Sequence, residues 1–199
     1  MSGMNLFLGI LLGLGLSAST GLNTFLPLLL LSAAARFNIA GIELGTKFEW
    51  LTSDAAMITL IVACVIELIA DKVPAVDHFL DSAGTFIRPL AGALASASVL
   101  TGLDPMVAAI IGLIVGAPTS LGLHTLKAGT RVASTATTFG CANPVLSLIE
   151  DVISVSLSVI AIFLPIVVPF ALAVLVFALY RLMKRVRSGS NAATAGPTS

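Results

Sequence analysis

Apolar runs recur along this chain at lengths that match the thickness of a lipid bilayer. They cover residues 4–36, 54–70, 84–103, 105–117, 145–164 and 165–183. Crossing the hydrocarbon takes about 20 mostly apolar residues. Only 10% of the 199 residues are charged and 57% are hydrophobic, whereas a soluble domain usually carries about 25% charged residues. Mean hydropathy is +1.08. So few charges cannot cover a water-facing surface, and the chain reads as an all-α integral membrane protein. The formal net charge is zero, which offers nothing to nucleic acid. Cys64 and Cys141 are the only cysteines, too few for a disulfide framework or a zinc site.

The N-terminal run has small residues near Ala18, as a cleaved leader would. No Lys or Arg precedes it and apolar sequence resumes at Leu22, so it reads as a retained membrane helix. A helix over 4–36 would reach about 50 Å at 1.5 Å per residue, against about 30 Å of hydrocarbon. The fourth run, extended through LHTLKAGTRVASTATTF, is also too long. Both carry Ser, Thr and Gly midway (Ser17 to Gly21; Pro118 to Gly122), and a break is expected at each.

The two long segments align without gaps. GLSASTGLNTFL from Gly15 matches GAPTSLGLHTLK from Gly116, and the Glu67 and Glu150 surroundings follow in the same order. The expected architecture is about six transmembrane helices as two inverted three-helix repeats, 1–103 and 104–186, the first helix of each long and broken. Inverted repeats with discontinuous helices are common in secondary transporters. The small polar end, 187–199, reads as a disordered cytoplasmic tail. With six spans both termini share a side. Lys72, Arg88, Lys127, Arg131, Arg181, Lys184, Arg185 and Arg187 then face the cytoplasm, against Arg36 and Lys47 outside, which agrees with the positive-inside rule. The expected location is the plasma (inner) membrane, multi-pass, with both termini cytoplasmic. Gly9 with Gly13 and Gly112 with Gly116 read as close helix-packing pairs, and Trp50 as an interfacial anchor.

Charge concentrates in two places. The stretch Glu67 to Asp81 reads ELIADKVPAVDHFLD, and Glu150 and Asp151 lie in LSLIEDVISVSLS. Glu67 and Asp71 share a helix face, and Glu67 follows the apolar run from Met57 to Ile66, at a depth where a carboxylate costs a few kcal/mol unless paired or facing water. His124, Lys127 and Arg131 occupy one helical stripe. With Arg88 and Lys72, its two basic members are available as partners. The first-stretch acids also fit a solvated loop, and the buried ones fit ion pairs that fix helix register. The functional alternative is a polar midplane site. A half-helix beginning after each break would aim free N–H groups at a ligand, with Asn23 and His124 in equivalent places. The expected substrate-binding residues are Asn23, Thr24, Arg88, His124, Lys127 and Arg131; the expected ion- or proton-coupling residues are Glu67, Asp71, Asp77, Glu150 and Asp151.

Five pieces carry a family likeness: GLNTFLP (Gly21 to Pro27), ELIADKVPAVD (Glu67 to Asp77), IRP (Ile87 to Pro89), HTLKAGTR (His124 to Arg131) and NPVLSLIED (Asn143 to Asp151). Together they resemble bacterial membrane proteins labelled domain of unknown function 4126, over roughly residues 5–180. The resemblance implies a small multi-pass membrane protein and supplies no activity or substrate. Three functions stay open. The first is a transporter or lipid-head-group translocase for an anionic or zwitterionic substrate coupled to protons or cations. The second is a membrane-embedded lipid-modifying enzyme, in which Glu67 with Asp71 and Asp77 with Asp81 hold Mg²⁺, a hard cation suited to such ligands. The third is a structural assembly partner. No cofactor is expected outside the enzyme alternative. Expected partners are membrane lipids, a small anionic or lipid-phosphate ligand and a second copy of the chain.

Overall fold

The computed structural model describes residues 3–194, apart from the side chains of residues 4, 74, 75, 77–79, 137 and 185–194. Those residues form eight α-helices: α1 (Gly3–Leu22), α2 (Leu26–Arg36), α3 (Asp54–Ala70), α4 (Pro74–Ser98), α5 (Pro105–Ile111), α6 (Ala117–Thr138), α7 (Asn143–Phe163) and α8 (Val168–Thr194). Local chemistry sets many of the starts. Ser53 caps α3 by accepting from the Ala56 N–H, and Asp104 caps α5 by accepting from Met106 and Val107; each cap satisfies amides that have no partner within the helix. Pro74, Pro105 and Pro144 stand in first turns, where a missing N–H costs nothing. Four stretches are long and apolar enough to cross a membrane: Asn5–Leu22, Pro105–Ala136, Asn143–Phe163 and Pro165–Lys184.

The surface is inverted relative to a water-soluble domain. Phe86, Phe170 and Phe177 are exposed, while Arg88 and Lys127 are only 1% exposed. Large exposed apolar faces around a charged interior belong in lipid.

The first break exists, displaced from the expected Ser17–Gly21. Those residues stay helical because Ser17, Ser19 and Thr20 donate to the carbonyls of Gly13, Gly15 and Ser17, so the hydroxyls are satisfied inside the helix. The helix ends at Leu22. Pro27 would clash with the carbonyl one turn earlier if the helix continued through it.

Beyond the break the chain turns back instead of continuing across. Residues 40–43, just after α2, share a cleft with Asn5, Leu8 and Gly9 of α1. The Gly45 N–H donates to the Ser98 carbonyl, at the level where Val99 faces Gly9. α1 and α2 are therefore the arms of an antiparallel hairpin with its tip at Asn23–Phe25. Asn23 bonds Asp151, eight residues inside α7, so the tip lies about 12 Å short of that helix end at 1.5 Å per residue. α3 runs back alongside α2: Glu67 meets the tip and Asp54 pairs with Arg36 at 2.5 Å.

The second expected break, at Pro118–Gly122, is absent; α6 runs through it. One turn upstream, Gly112–Gly116 is a π-helical segment in which the Ala117 N–H reaches back to Gly112. The wider turn makes room for the Pro118 ring without interrupting the helix. No half-helix therefore begins after Gly122, and His124 lies mid-helix.

The inverted relation is also absent. Along the α1–α6 interface Ser17 faces Gly116, Thr20 bonds Ser120 at 3.0 Å, and Lys127 donates to the Leu22 carbonyl at 2.8 Å. The two segments that match in sequence thus lie side by side in the same direction, where inverted copies would oppose each other. The halves 1–103 and 104–186 are in contact elsewhere too: α1 also packs on α7, where Ser154 donates to the Ser19 carbonyl. α8 starts beside Gly15 and passes Gly129 at Met183, so Asn5 and Lys184 lie at opposite ends of the bundle. Residues 187–194 of the expected tail belong to α8, and 195–199 lie outside the described residues.

Candidate functional site

Of the eleven residues singled out in sequence, ten converge on one buried cluster around the hairpin tip; the Asp77 side chain lies outside the described residues. The tip presents two kinds of orphan backbone group. The last carbonyls of α1 face one way. The amides just ahead of α2, at Thr24 and Phe25, face the other. Side chains of matching sign meet each.

Cations take the carbonyls. Arg88 of α4 donates from Nη1 to the Gly21 oxygen at 2.9 Å, and Lys127 of α6 donates to the Leu22 oxygen at 2.8 Å. An anion takes the amides. Glu67 of α3 accepts from the Thr24 N–H at 2.9 and 3.0 Å through its two oxygens, from the Thr24 hydroxyl at 2.7 Å and from the Phe25 N–H at 3.1 Å. Positive charge at a helix C-terminus and negative charge at an N-terminus both complement the macrodipole. Asn23 completes the turn: its Oδ1 accepts from the Leu26 N–H at 3.1 Å and its Nδ2 donates to Asp151 at 3.0 Å.

The caps are tied to a wider network. Arg88 lies 3.6 Å from Glu67. Lys127 pairs with Glu150 at 3.1 Å and Asp71 at 3.8 Å. Arg131 pairs with Glu150 at 2.8 Å, Asp81 at 3.5 Å and Asp71 at 3.7 Å. Lys72 donates to Ser147 at 2.9 Å and lies 3.5 Å from Asp151. The stripe of His124, Lys127 and Arg131 does share one face, and all three are buried. His124 lies between two helices. Arg88 is always a donor, so its 3.1 Å contact makes Nδ1 of His124 an acceptor and leaves the ring proton on Nε2, 3.3 Å from the Thr85 hydroxyl.

A cavity of about 510 Å³ opens beside the network between α4 and α6, with His124, Arg131, Asp81, Thr85 and Asn143 on its wall. Thr85 and Asn143 escaped the sequence reading. A helical spacing of four joins Thr85 to Asp81, and Asn143 opens α7. Both signals are common in unremarkable helices, and only the packing of α4 on α6 makes them neighbours.

Of the carboxylates expected to hold a metal under the enzyme alternative, Glu67 is engaged by amides and Arg88, Asp71 by Lys127 and Arg131, and Asp81 by Arg131, while the Asp77 side chain lies outside the described residues. Among the described residues no group of three or more His, Cys, Asp or Glu is arranged to share an ion. The sites of the two cysteines differ, Cys64 buried and Cys141 exposed, and both are free.

No curated protein and no solved structure matches this chain. The sequence profile of one family does, across residues 10–185, a range that holds the hairpin tip, the network and the cavity wall; the chain belongs to the family described as domain of unknown function (DUF4126).

Proposed function

We propose that this chain is a membrane transporter or lipid-head-group translocase in which the α1–α2 hairpin is the moving part. One observation carries the reading. The hairpin tip, deep in an apolar bundle, is held by acidic and basic side chains from α3, α4 and α6, whose network reaches an open cavity at His124 and Arg131. A purely structural partner gains little from such a design, because buried ion pairs are often no more stable than apolar packing of similar volume. Ionic holds can be exchanged for a ligand or a proton, and apolar packing cannot. The engagement of Glu67 and Asp71 with amides and cations likewise favours transport over a Mg²⁺-dependent enzyme.

The proposed topology has five crossings, by α3, α4, α5 with α6, α7 and α8, plus the re-entrant hairpin. Irregular backbone at membrane depth is tolerated where protein buries it. The end bearing Lys72, Arg131, Arg181 and Lys184 is cytoplasmic by its positive charge, with Arg36 and Lys47 opposite. The C-terminus is then inside and the N-terminus outside, in place of two cytoplasmic termini.

The test is a reversible lock on the hairpin. Thr20 and Ser120 place their oxygens 3.0 Å apart, so Thr20→Cys with Ser120→Cys, in a background lacking Cys64 and Cys141, should form a disulfide between α1 and α6. The full chain goes into vesicles with acyl-chain-labelled phospholipids, and outer-leaflet quenching follows translocation; uptake of small organic ions is assayed in parallel. Transport in the reduced state and its loss on oxidation are expected. Equal transport in both states would remove the hairpin from the mechanism, and none for any solute or lipid would end the transport reading.

A further inference from the structure

We infer that the α4–α6 cavity is a site for the primary ammonium head of an amphiphile, with Asp81 as its counter-ion. The inference names the substrate class of the proposed translocase and rests on that reading for its transport role.

Charge balance in the described part of the network favours one more cation. Among the described side chains of the network, Glu67, Asp71, Asp81, Glu150 and Asp151 are five carboxylates facing four cations, Lys72, Arg88, Lys127 and Arg131. His124 accepts from Arg88 and so is neutral in this arrangement. A low-dielectric interior penalises an unbalanced charge heavily.

The cavity is where that cation can enter. Asp81 has a 19% exposed side chain, against 10% or less for the other four carboxylates. Arg131, on the cavity wall, lies within reach of Asp71, Asp81 and Glu150. An entering anion would meet a guanidinium that already faces three carboxylates, and beside it the most exposed of the five.

The wall also asks for hydrogen-bond donors. Asn143 donates from Nδ2 to Thr135 at 3.1 Å, while its Oδ1 is buried with no partner. A buried acceptor left without a donor loses its hydration and gains nothing in return. A primary ammonium brings three N–H donors and satisfies Asp81 and Asn143 together. A quaternary ammonium has the charge and no donor.

The mouth of the cavity is apolar. Val132 on its wall is 70% exposed and Phe86, next to Thr85, is 77% exposed. In a membrane these faces meet lipid tails, so a head group can enter sideways while its hydrocarbon chain stays in the bilayer.

The experiment uses nanodiscs of the full chain with equal amounts of phosphatidylethanolamine, phosphatidylcholine and phosphatidylglycerol, followed by native mass spectrometry of the lipid that stays bound. One charge-assisted bond is worth about 1.5–3 kcal/mol, or roughly tenfold and more in affinity. About tenfold retention of phosphatidylethanolamine over phosphatidylcholine is expected. Asp81→Asn should abolish the preference. Val132→Trp, at an exposed position that fills the mouth without touching the network, should abolish retention with the melting temperature unchanged. Equal retention of the two lipids, preference for phosphatidylglycerol, or a preference that survives both variants would overturn the inference. Displacement of the lipid by millimolar ethanolamine would assign the site to free amines and overturn the amphiphile. Selective retention without translocation would refute only the transport reading; translocation without selectivity would refute only this one.

Discussion

Replacing Glu67 by Gln tests whether the hairpin tip is held by its caps. The carboxylate accepts through both oxygens, Oε1 from the Thr24 amide and hydroxyl, Oε2 from the Thr24 and Phe25 amides. Glutamine keeps one oxygen and turns the other into a donor, which then faces an N–H. At least one charge-assisted bond is lost, worth about 1.5–3 kcal/mol, and the rest weaken to neutral ones. Arg88, 1% exposed and 3.6 Å away, loses its counter-ion. Removing one member of a buried pair costs about 3–5 kcal/mol. The two effects overlap and do not add. The unfolded state in detergent retains helices that find other partners, so the lower figure, about 3 kcal/mol, is the better expectation. For a chain of this size, 1 kcal/mol moves the melting temperature by about 2–4 °C, which gives a fall of about 6–12 °C. Thermal unfolding in one detergent, followed by light scattering and by the Trp50 signal, measures it. Adding Arg88→Met separates the causes. If the unpaired arginine dominates, the double variant regains most of the loss. The distances place the tighter contacts at the amides, so the double variant should melt no higher than Glu67→Gln alone, because Arg88 also caps Gly21. A Glu67→Gln protein melting within about 2 °C of the parent would refute the capping account.

Two further predictions separate glycines and chain ends. A Cβ at Gly116 would meet the Gly92 carbonyl and the Ser17 hydroxyl, whereas one at Gly122 meets nothing within 4 Å. Gly116→Ala should therefore destabilise by about 1–3 kcal/mol through overpacking, while Gly122→Ala should be neutral or gain up to about 1 kcal/mol of helix propensity; comparable losses in melting temperature at both would restore a break at Gly122. Asn5→Cys and Lys184→Cys, labelled one at a time in intact cells with a membrane-impermeant thiol reagent, should react from opposite sides. Labelling from the same side would refute the re-entrant hairpin.

Much of the site was readable from residue chemistry. Glu67 and Glu150 adjoin apolar sequence, so burial beside a cation was one of the readings that residue chemistry allowed, since burial of unpaired charge is too costly to persist. Which cation each takes, Arg88 for Glu67 and Lys127 with Arg131 for Glu150, only the packing decides. The helical stripe of His124, Lys127 and Arg131 was equally legible, because a spacing of three and four is a local property of one helix.

Chain direction was not legible in the same way. Ser, Thr, Gly and Pro occur at both expected breaks, yet the chain reverses after Asn23 and runs on through Pro118. The difference lies in distant partners. At the first site Glu67, 43 residues away, and Arg88, 67 residues away, cap the freed amides and carbonyls; at the second, the π-turn at Gly112–Gly116 fits against α4, where the glycines of both helices allow contact. Composition thus determined that this chain is suited to a membrane. Only the tertiary structure decided that the first helix pair turns back, that the sequence-matched segments run parallel, and that Asn5 and Lys184 lie at opposite ends of the bundle, because a backbone can reverse in an apolar interior only where another part of the chain supplies the hydrogen bonds it gives up.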